Sequence, residues 1–239
     1  MKIPFGQRIA VGRKLIDLEP ELVGATLQTI KAGWQIAIER IQARSYNHEV
    51  EITECLRDGM RKALECGDLA QFRPTMIVAP GTESRSEPDM PVPDGRTDIP
   101  LYFWKVTYEI GEHDPHAIIE CKRVAERDST LAREYVLEGV DRFCTGKYAA
   151  NHSRAFMAGY VLLGTPSGAV AGINRYLNRH HRVSERLKPS TNCDWTWRSE
   201  HPRSTTPVEL HHAMLALATT LNDTAAGSAR TEEMTQPTE

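Results

Sequence analysis

The stretch His116-Ala-Ile-Ile-Glu-Cys-Lys-Arg-Val124 is an apolar run that contains a carboxylate and an ammonium two residues apart. In a strand, alternating side chains share a face, so Glu120 and Lys122 point the same way. Such charges are costly on a buried strand unless they pair or bind something. The run Gly95–Trp104 carries Asp98 into a second β-like segment. Two carboxylates on neighbouring strands form an oxygen site for Mg²⁺, beside which a lysine can position a water. The alternative is a surface ion pair, and the residues alone leave both open.

Composition indicates a soluble protein with one α/β domain and some additions. The 239 residues are 40% hydrophobic and 26% charged, and no apolar run or signal-peptide core indicates a membrane or an export route. Five scattered cysteines without a Cys-x-x-Cys favour reduced thiols and a cytoplasmic location. The net charge of −3 argues against non-specific coating of nucleic acid.

The order of helix and strand patterns predicts one mixed sheet flanked by helices. Residues 1–46 form an arm and an amphipathic helix, residues 47–219 the main domain, and residues 220–239 a disordered tail. Predicted helices cover about 19–43, 48–66, 129–145 and 169–187. Predicted strands cover about 75–79, 98–110, 116–124, 155–163 and 193–198, and 208–217 is a closing strand or helix.

Glu49 occupies an informative place on the second predicted helix. At about 100° per residue it lies roughly 20° from Leu56, on the apolar face. One explanation is that a carboxylate in the first turn favours the helix dipole. The other is that Glu49 points inward and meets the acids of the sheet.

Together these residues resemble the PD-(D/E)xK nuclease superfamily, which has the restriction-endonuclease-like fold. Its members place a helix with an inward glutamate before a three-stranded meander, an aspartate at the start of the second strand and Glu-x-Lys in the third. Glu49, Asp98, Glu120 and Lys122 match this pattern in order. Thr97 stands where the family name would put proline, a position that the superfamily keeps only loosely. The resemblance covers residues 47–163.

The resemblance implies a role for each residue of the set. Asp98 and Glu120 would bind one or two Mg²⁺ ions, with Mn²⁺ as a substitute and the Cys121 carbonyl as a further ligand. Lys122 would orient the attacking water or stabilise charge at the phosphate, and Glu49 would hold a second ion or a water of the first.

The implied function is a Mg²⁺-dependent nuclease that acts on DNA, as an effector of restriction or phage defence with a protein partner in a defence complex. RNA stays open as an alternative substrate of the same site. The alternative is a catalytically silent nuclease-fold subunit that binds or assembles through the first helix and its Trp34.

A basic stripe supplies the predicted nucleic-acid contacts. Intervals of four, three and four place Arg175, Arg179, Arg182 and Arg186 on one face of the predicted helix 169–187. Either this face contacts phosphates or it is simply solvated.

Other polar residues give weaker signals. Tyr135 is either an auxiliary polar residue of the site or a core tyrosine. The histidine pairs His113/His116 and His211/His212 lack zinc-site spacing and are predicted to lie on the surface. The cluster Ser199-Glu-His-Pro-Arg203 indicates either a site lining or a loop.

Overall fold

A seven-stranded mixed sheet with helices on both faces organises the chain. The computed structural model describes residues 15–84, 95–110, 115–190, 193–203 and 206–217. The predicted tail and most of the predicted N-terminal arm lie outside these residues. The helices are α1 Pro20–Arg44, α2 Glu49–Glu65, α3 Trp104–Ile110, α4 Ser129–Tyr135, α5 Asp141–Cys144 and α6 Pro166–Arg179. The strands are β1 Met76–Val78, β2 Glu83–Ser84, β3 Gly95–Arg96, β4 Ile99–Phe103, β5 Ala117–Val124, β6 Arg154–Val161, β7 Lys188–Ser190, β8 Cys193–His201 and β9 Val208–Ala216.

The strand order of the main sheet is β1-β4-β5-β6-β9-β8-β7, and β2 pairs with β3 separately. β5, β6 and β9 run parallel in the centre, and their neighbours are antiparallel. Both sides of the central strands carry apolar side chains, which is typical of a sheet covered on both faces. On β6, Phe156 belongs to the core beneath α1 and α2, while Met157 belongs to the core beneath α4 and α6. The structure is therefore a single α/β domain.

Helix α1 belongs to this core. Trp34 is buried, stacks on Tyr160 of β6 with 5.8 Å between ring centroids, and donates from Nε1 to the carbonyl of Ala216 at 3.3 Å. The suggestion that Trp34 forms a docking surface is therefore wrong. Helices α1 and α2 pack closely where Gly33 of α1 meets Gly59 of α2. A Cβ atom on Gly59 would lie only 2.2 Å from the carbonyl oxygen of Gly33, so a larger residue does not fit there.

Two predicted elements end well before their predicted boundaries. The strand predicted over 98–110 ends at Phe103, where β1 supplies its last partner at Met76, and the chain continues as α3. The helix predicted over 169–187 ends at Arg179, and a 3₁₀ turn follows at Val183–Glu185. The reason lies at His181, whose φ of 59° is left-handed and cannot continue an α-helix.

The helix predicted over 129–145 contains a π-helical turn at Val136–Val140 between α4 and α5. Ala132, Tyr135, Val140 and Phe143 in this stretch are buried. The segment 208–217, left open as strand or helix, is strand β9 over Val208–Ala216. Among the described helices, none is long and apolar enough to cross a membrane.

Candidate metal centre at the open edge of a strand

The centre forms where β4 and β5 stop pairing. Their register ends at Ile99 opposite Ile119, whereas β5 stays paired with β6 as far as Val124. Backbone groups on the open side of β5 therefore need other partners, because an unpaired buried amide is costly. Cys121 N donates to Oδ2 of Asp98 at 2.7 Å. Side chains thus replace the missing strand, and they bring carboxylates to this edge.

Asp98 directly precedes β4 and is half-buried. Burial is the largest influence on its carboxyl and raises its pKa, although Lys122 and the Cys121 amide act in the opposite direction. Asp98 also faces Glu120, whose pKa it raises. The structure therefore brings the two predicted acids close enough at the strand edge for the charge of Asp98 to raise the pKa of Glu120.

Glu120 is fully buried on β5. Its Oε1 accepts from Nη1 of Arg142 at 2.6 Å and lies 3.1 Å from Nζ of Lys122. Its Oε2 is also buried, and within the described residues it has no hydrogen-bond partner. Burial and the neighbouring Asp98 raise the pKa of Glu120 to about 8, against the effect of both cations. Oε2 of Glu120 is therefore a ligand atom without a partner in the described residues. Because it is buried, an uncompensated negative charge on it is costly.

Lys122 bridges the groups of the centre. Its Nζ donates to Oε1 of Glu49 at 2.7 Å and to the carbonyl of Cys121 at 2.9 Å. Burial alone would lower the pKa of Lys122, but Glu120, Glu49 and Asp98 outweigh it and raise that pKa. The side chain is thus held as an ammonium at neutral pH, with its three donors directed at oxygen atoms.

Glu49 reaches the centre from the first turn of α2. Besides Lys122, it accepts the backbone N–H of Arg123 at 3.3 Å through Oε2. The Glu49 carboxylate therefore accepts a backbone N–H that β4 leaves unpaired on β5, so Glu49 points inward. It also lies in the first turn of α2, where it favours the helix dipole. The Lys122 ammonium lies between Glu49 and Glu120, so these two acids meet through a cation.

Arg142 and Tyr148 also belong to the centre, although neither was among the residues predicted for it. The guanidinium of Arg142 contacts Glu120 and also donates to the hydroxyl of Tyr148 at 3.1 Å. That hydroxyl donates in turn to the carbonyl of Arg96 at 2.8 Å. The π-helical turn before α5 adds a residue to the helix and rotates the succeeding residues by about 100°. Regular helical spacing could not reveal this direction.

The donor set fits a hard divalent cation. It consists of carboxylate oxygens and a backbone carbonyl, which are the ligands that Mg²⁺ and Mn²⁺ prefer. Asp98, Glu120 and the Cys121 carbonyl would hold the ion. Among their oxygen atoms, Oε2 of Glu120 is a ligand atom without a hydrogen-bond partner in the described residues. With all three acids ionised, Glu49, Asp98 and Glu120 face only two cations, so a bound divalent ion would offset the negative charge that burial and Asp98 otherwise remove by protonating Glu120.

The predicted four-arginine stripe does not exist as one helix face. Arg175 and Arg179 lie on α6 and are exposed. Arg182 lies beyond the helix end, where it pairs with Asp141 at 2.8 Å and Glu185 at 2.6 Å. Arg186 follows the 3₁₀ turn. The left-handed residue at the end of the helix separates the two halves, so the nucleic-acid prediction now concerns Arg175 and Arg179.

A second polar cluster is buried between α4 and the strands β8 and β9. Tyr135 OH lies 2.8 Å from Nδ1 of His212, and His212 Nε2 lies 2.7 Å from the hydroxyl of Ser199. Ser199 also meets Nε2 of His201 at 2.7 Å, and His201 Nδ1 lies 2.5 Å from Glu185. An ionised carboxylate only accepts, so Nδ1 of His201 carries a proton and donates it to Glu185.

This cluster corrects the surface assignment of the histidines. His116, His211 and His212 are buried, whereas His113 lies outside the described residues. Helices cover both faces of the sheet, and β9, which carries His211 and His212, is central in it. Tyr135 is a core tyrosine, as one of its two explanations held. His201 and Glu185 also lie with Cys144 in the one group of three potential ligand side chains found within 4.8 Å among the described residues. Hydrogen bonds and ion pairs already occupy both His201 and Glu185.

No family model, curated protein or solved structure matches this chain. The sheet and helices establish an α/β fold. Function is therefore argued from the chemistry of the centre rather than from kinship.

Proposed function

We propose that the protein is a Mg²⁺-dependent nuclease that hydrolyses phosphodiester bonds, in DNA in preference to RNA. One observation carries the proposal: Oε2 of Glu120 is buried without a partner within the described residues, beside Asp98 and a charged lysine. The restriction-endonuclease-like order of elements supports it. A helix starts with Glu49, Asp98 precedes one strand and the Glu-x-Lys lies on its neighbour.

Each side chain has a task in this proposal. When bound, Mg²⁺ would polarise a phosphoryl oxygen and lower the pKa of a nearby water. Arg142 occupies Oε1 of Glu120 and so leaves Oε2 for the ion. Lys122 remains charged, and if it exchanges one of its three oxygen partners it can donate a hydrogen bond to the attacking water or to the phosphate. Asp98 supplies the second carboxylate.

The decisive variants are Asp98→Ala and Lys122→Ala. We expect Asp98→Ala to lose both cleavage and the stabilisation by Mg²⁺, since a ligand has gone. Lys122→Ala should also lose cleavage, but it should keep or strengthen the stabilisation by Mg²⁺, since a neighbouring cation has gone. Lys105→Ala is the control, because Lys105 pairs with Glu19 on the surface and should change neither property.

Cleavage is measured on supercoiled plasmid, single-stranded DNA and RNA with Mg²⁺, Mn²⁺ or EDTA, and binding is measured by thermal shift. A Lys122→Ala variant that cleaves at the parental rate would remove the nuclease assignment from this centre. Cleavage of RNA but of neither DNA substrate would change the proposed substrate from DNA to RNA. The expected setting, restriction or phage defence with a protein partner, is tested by comparing phage plaque counts on cells that express the parent or Asp98→Ala.

The second candidate is a catalytically silent nuclease-fold subunit that binds or assembles with other molecules. Its support is the ion-pair network itself, in which Lys122 joins Glu49 and Glu120 without any metal. On this alternative Mg²⁺ stabilises no form of the protein, and both alanine variants lose folding. A parental protein that is stabilised by Mg²⁺ and nicks plasmid excludes it.

A further inference from the structure

A groove of about 160 Å³ lies between the start of α4 and one face of α6. Three arginines line it: Arg127 from the loop before α4, and Arg175 and Arg179 from α6. Ser129 and Tyr176 contribute hydroxyl-bearing side chains to the same lining. The tertiary fold thus places Arg127 beside two arginines that lie about fifty residues away in sequence.

The groove carries an excess of positive charge. Arg175 and Arg179 are four residues apart on an α-helix, so they share a face, and in the described part of the chain neither makes an ion pair. Arg127 is 91% exposed and lies 3.9 Å from its nearest acid, Glu126. Asp128 is the acid in the lining, and its Oδ1 already accepts from the backbone of Thr130 and Leu131. Three guanidinium groups therefore outnumber the two nearby carboxylates, Asp128 and Glu126, and both carboxylates already accept hydrogen bonds from backbone amides.

We infer that this groove binds one phosphate group of the nucleic-acid substrate, away from the bond that is cleaved. Guanidinium forks match phosphate oxygens in geometry and charge, and the Ser129 hydroxyl adds a neutral donor. The inference rests on the proposed function for the identity of the polymer, and on the three arginines for the phosphate chemistry.

The groove is within reach of the metal centre. Arg127 follows Lys122 by five residues, so the two Cα atoms are at most roughly 18 Å apart. At about 3.4 Å per nucleotide along one strand, this distance corresponds to roughly five nucleotides. A phosphate in the groove would therefore lie within roughly five nucleotides of the bond at Asp98 and Glu120.

The test measures binding of a labelled DNA duplex in EDTA, so that it does not depend on cleavage, over about 50 to 200 mM salt. The double variant Arg175→Gln/Arg179→Gln should flatten the slope of log affinity against log salt by about 0.9, the value for one phosphate. Arg127→Gln should flatten it by a similar amount, because it would hold the same phosphate. The double variant Arg40→Gln/Arg44→Gln removes two exposed arginines with the same four-residue spacing on α1, which covers the opposite face of the sheet, and should leave the slope unchanged.

Several results would overturn the inference. An unchanged slope in the α6 double variant, or an equal change in the control, would make these arginines a solvated face. An unchanged slope in Arg127→Gln would leave no shared site. A loss of about 1.8 in the α6 double variant would mean two separate phosphates. A duplex with and without a 5′-phosphate identifies the source: an effect on both supports a backbone diester, and an effect on the phosphorylated duplex alone supports a terminal monoester.

Failure of the proposed function is distinguishable from failure of the groove. If the parent binds no nucleic acid, inorganic phosphate becomes the probe, and thermal shift reads its binding. If phosphate stabilises the parent but not Arg175→Gln/Arg179→Gln, the phosphate site is supported and the proposed nuclease function is rejected. No stabilisation of the parent by phosphate would reject the site as well.

Discussion

Replacing Glu120 with glutamine separates a metal-ready acid from a structural ion pair. Glu120 is fully buried, and its Oε2 has no partner in the described part of the structure. Burial and Asp98 raise the pKa of Glu120 from 4.5 to about 8, so the metal-free protein holds this carboxyl largely protonated at pH 7. Glutamine has nearly the shape of the protonated acid but cannot ionise. We expect Glu120→Gln to fold and to lose its response to Mg²⁺.

The expected magnitude comes from proton linkage. In the unfolded chain this carboxyl ionises near pH 4.5, whereas in the folded protein it ionises near pH 8. Between these values the folded state binds more protons, so the stability that this group contributes falls as the pH rises, by at most about 1.4 kcal/mol per pH unit. From pH 4.5 to 7 the upper bound is about 3 kcal/mol. Because glutamine does not titrate, the variant avoids this loss.

The hydrogen bonds that Glu120 accepts from Arg142 and Lys122 weaken in the variant, so the net gain is smaller. We expect Glu120→Gln to be about 1 to 3 kcal/mol more stable than the parent at pH 7 without metal, with a difference that shrinks towards pH 5. For a chain of this size, each kcal/mol raises the Tm by about 2 to 4 °C.

The assay is urea unfolding of both proteins between about pH 5 and pH 8, with and without Mg²⁺. Glu138→Gln is the matched control, because Glu138 pairs with the same Arg142 at 3.7 Å but its side chain is 62% exposed. It should stay within about 0.5 kcal/mol of the parent and keep the response to Mg²⁺. A Glu120→Gln variant that is destabilised equally at every pH would refute the reasoning and indicate a structural ion pair.

Two further variant pairs test the fold around the site by urea unfolding. Gly59→Ala puts a Cβ atom 2.2 Å from a carbonyl oxygen of α1 and should lower the free energy of unfolding by about 2 kcal/mol or more. Gly24→Ala meets nothing within 4 Å and should raise that free energy by about 0.5 to 1 kcal/mol. Equal effects of the two variants would contradict the close crossing of α1 and α2. Tyr135→Phe removes a buried hydroxyl that meets a histidine at 2.8 Å and should cost about 1 to 3 kcal/mol. Tyr108→Phe, at an 89% exposed position, should be neutral, and a neutral Tyr135→Phe would argue against the buried network.

Sequence periodicity was sufficient for most helices and strands. The helices predicted over 19–43 and 48–66 are α1 and α2, and the strand predicted over 116–124 is β5. These elements have regular apolar spacing, so local burial and secondary structure agree. The predicted strand over 98–110 was wrong beyond Phe103, because a strand persists only where another strand pairs with it. That information is not local.

For the candidate centre, the sequence by itself determined the residue types and the face that they share on β5. Alternation along one strand is a local property, so it places Glu120 and Lys122 together before any fold is known. Only the tertiary structure decided how these residues pair. The end of β4–β5 pairing brings Asp98 to Cys121, and the first turn of α2 brings Glu49 to Lys122.

The tertiary structure also decided which charged residues are available. The π-helical turn directs Arg142 to Glu120, and a left-handed residue after α6 turns Arg182 to Asp141 and away from Arg179. The covering helices bury His212, which composition alone would leave on the surface. Spacing along a helix or strand is fixed by backbone geometry and can be read from the sequence. Contacts between distant segments depend on where each element ends and on which elements cover it, and these are properties of the whole packed chain.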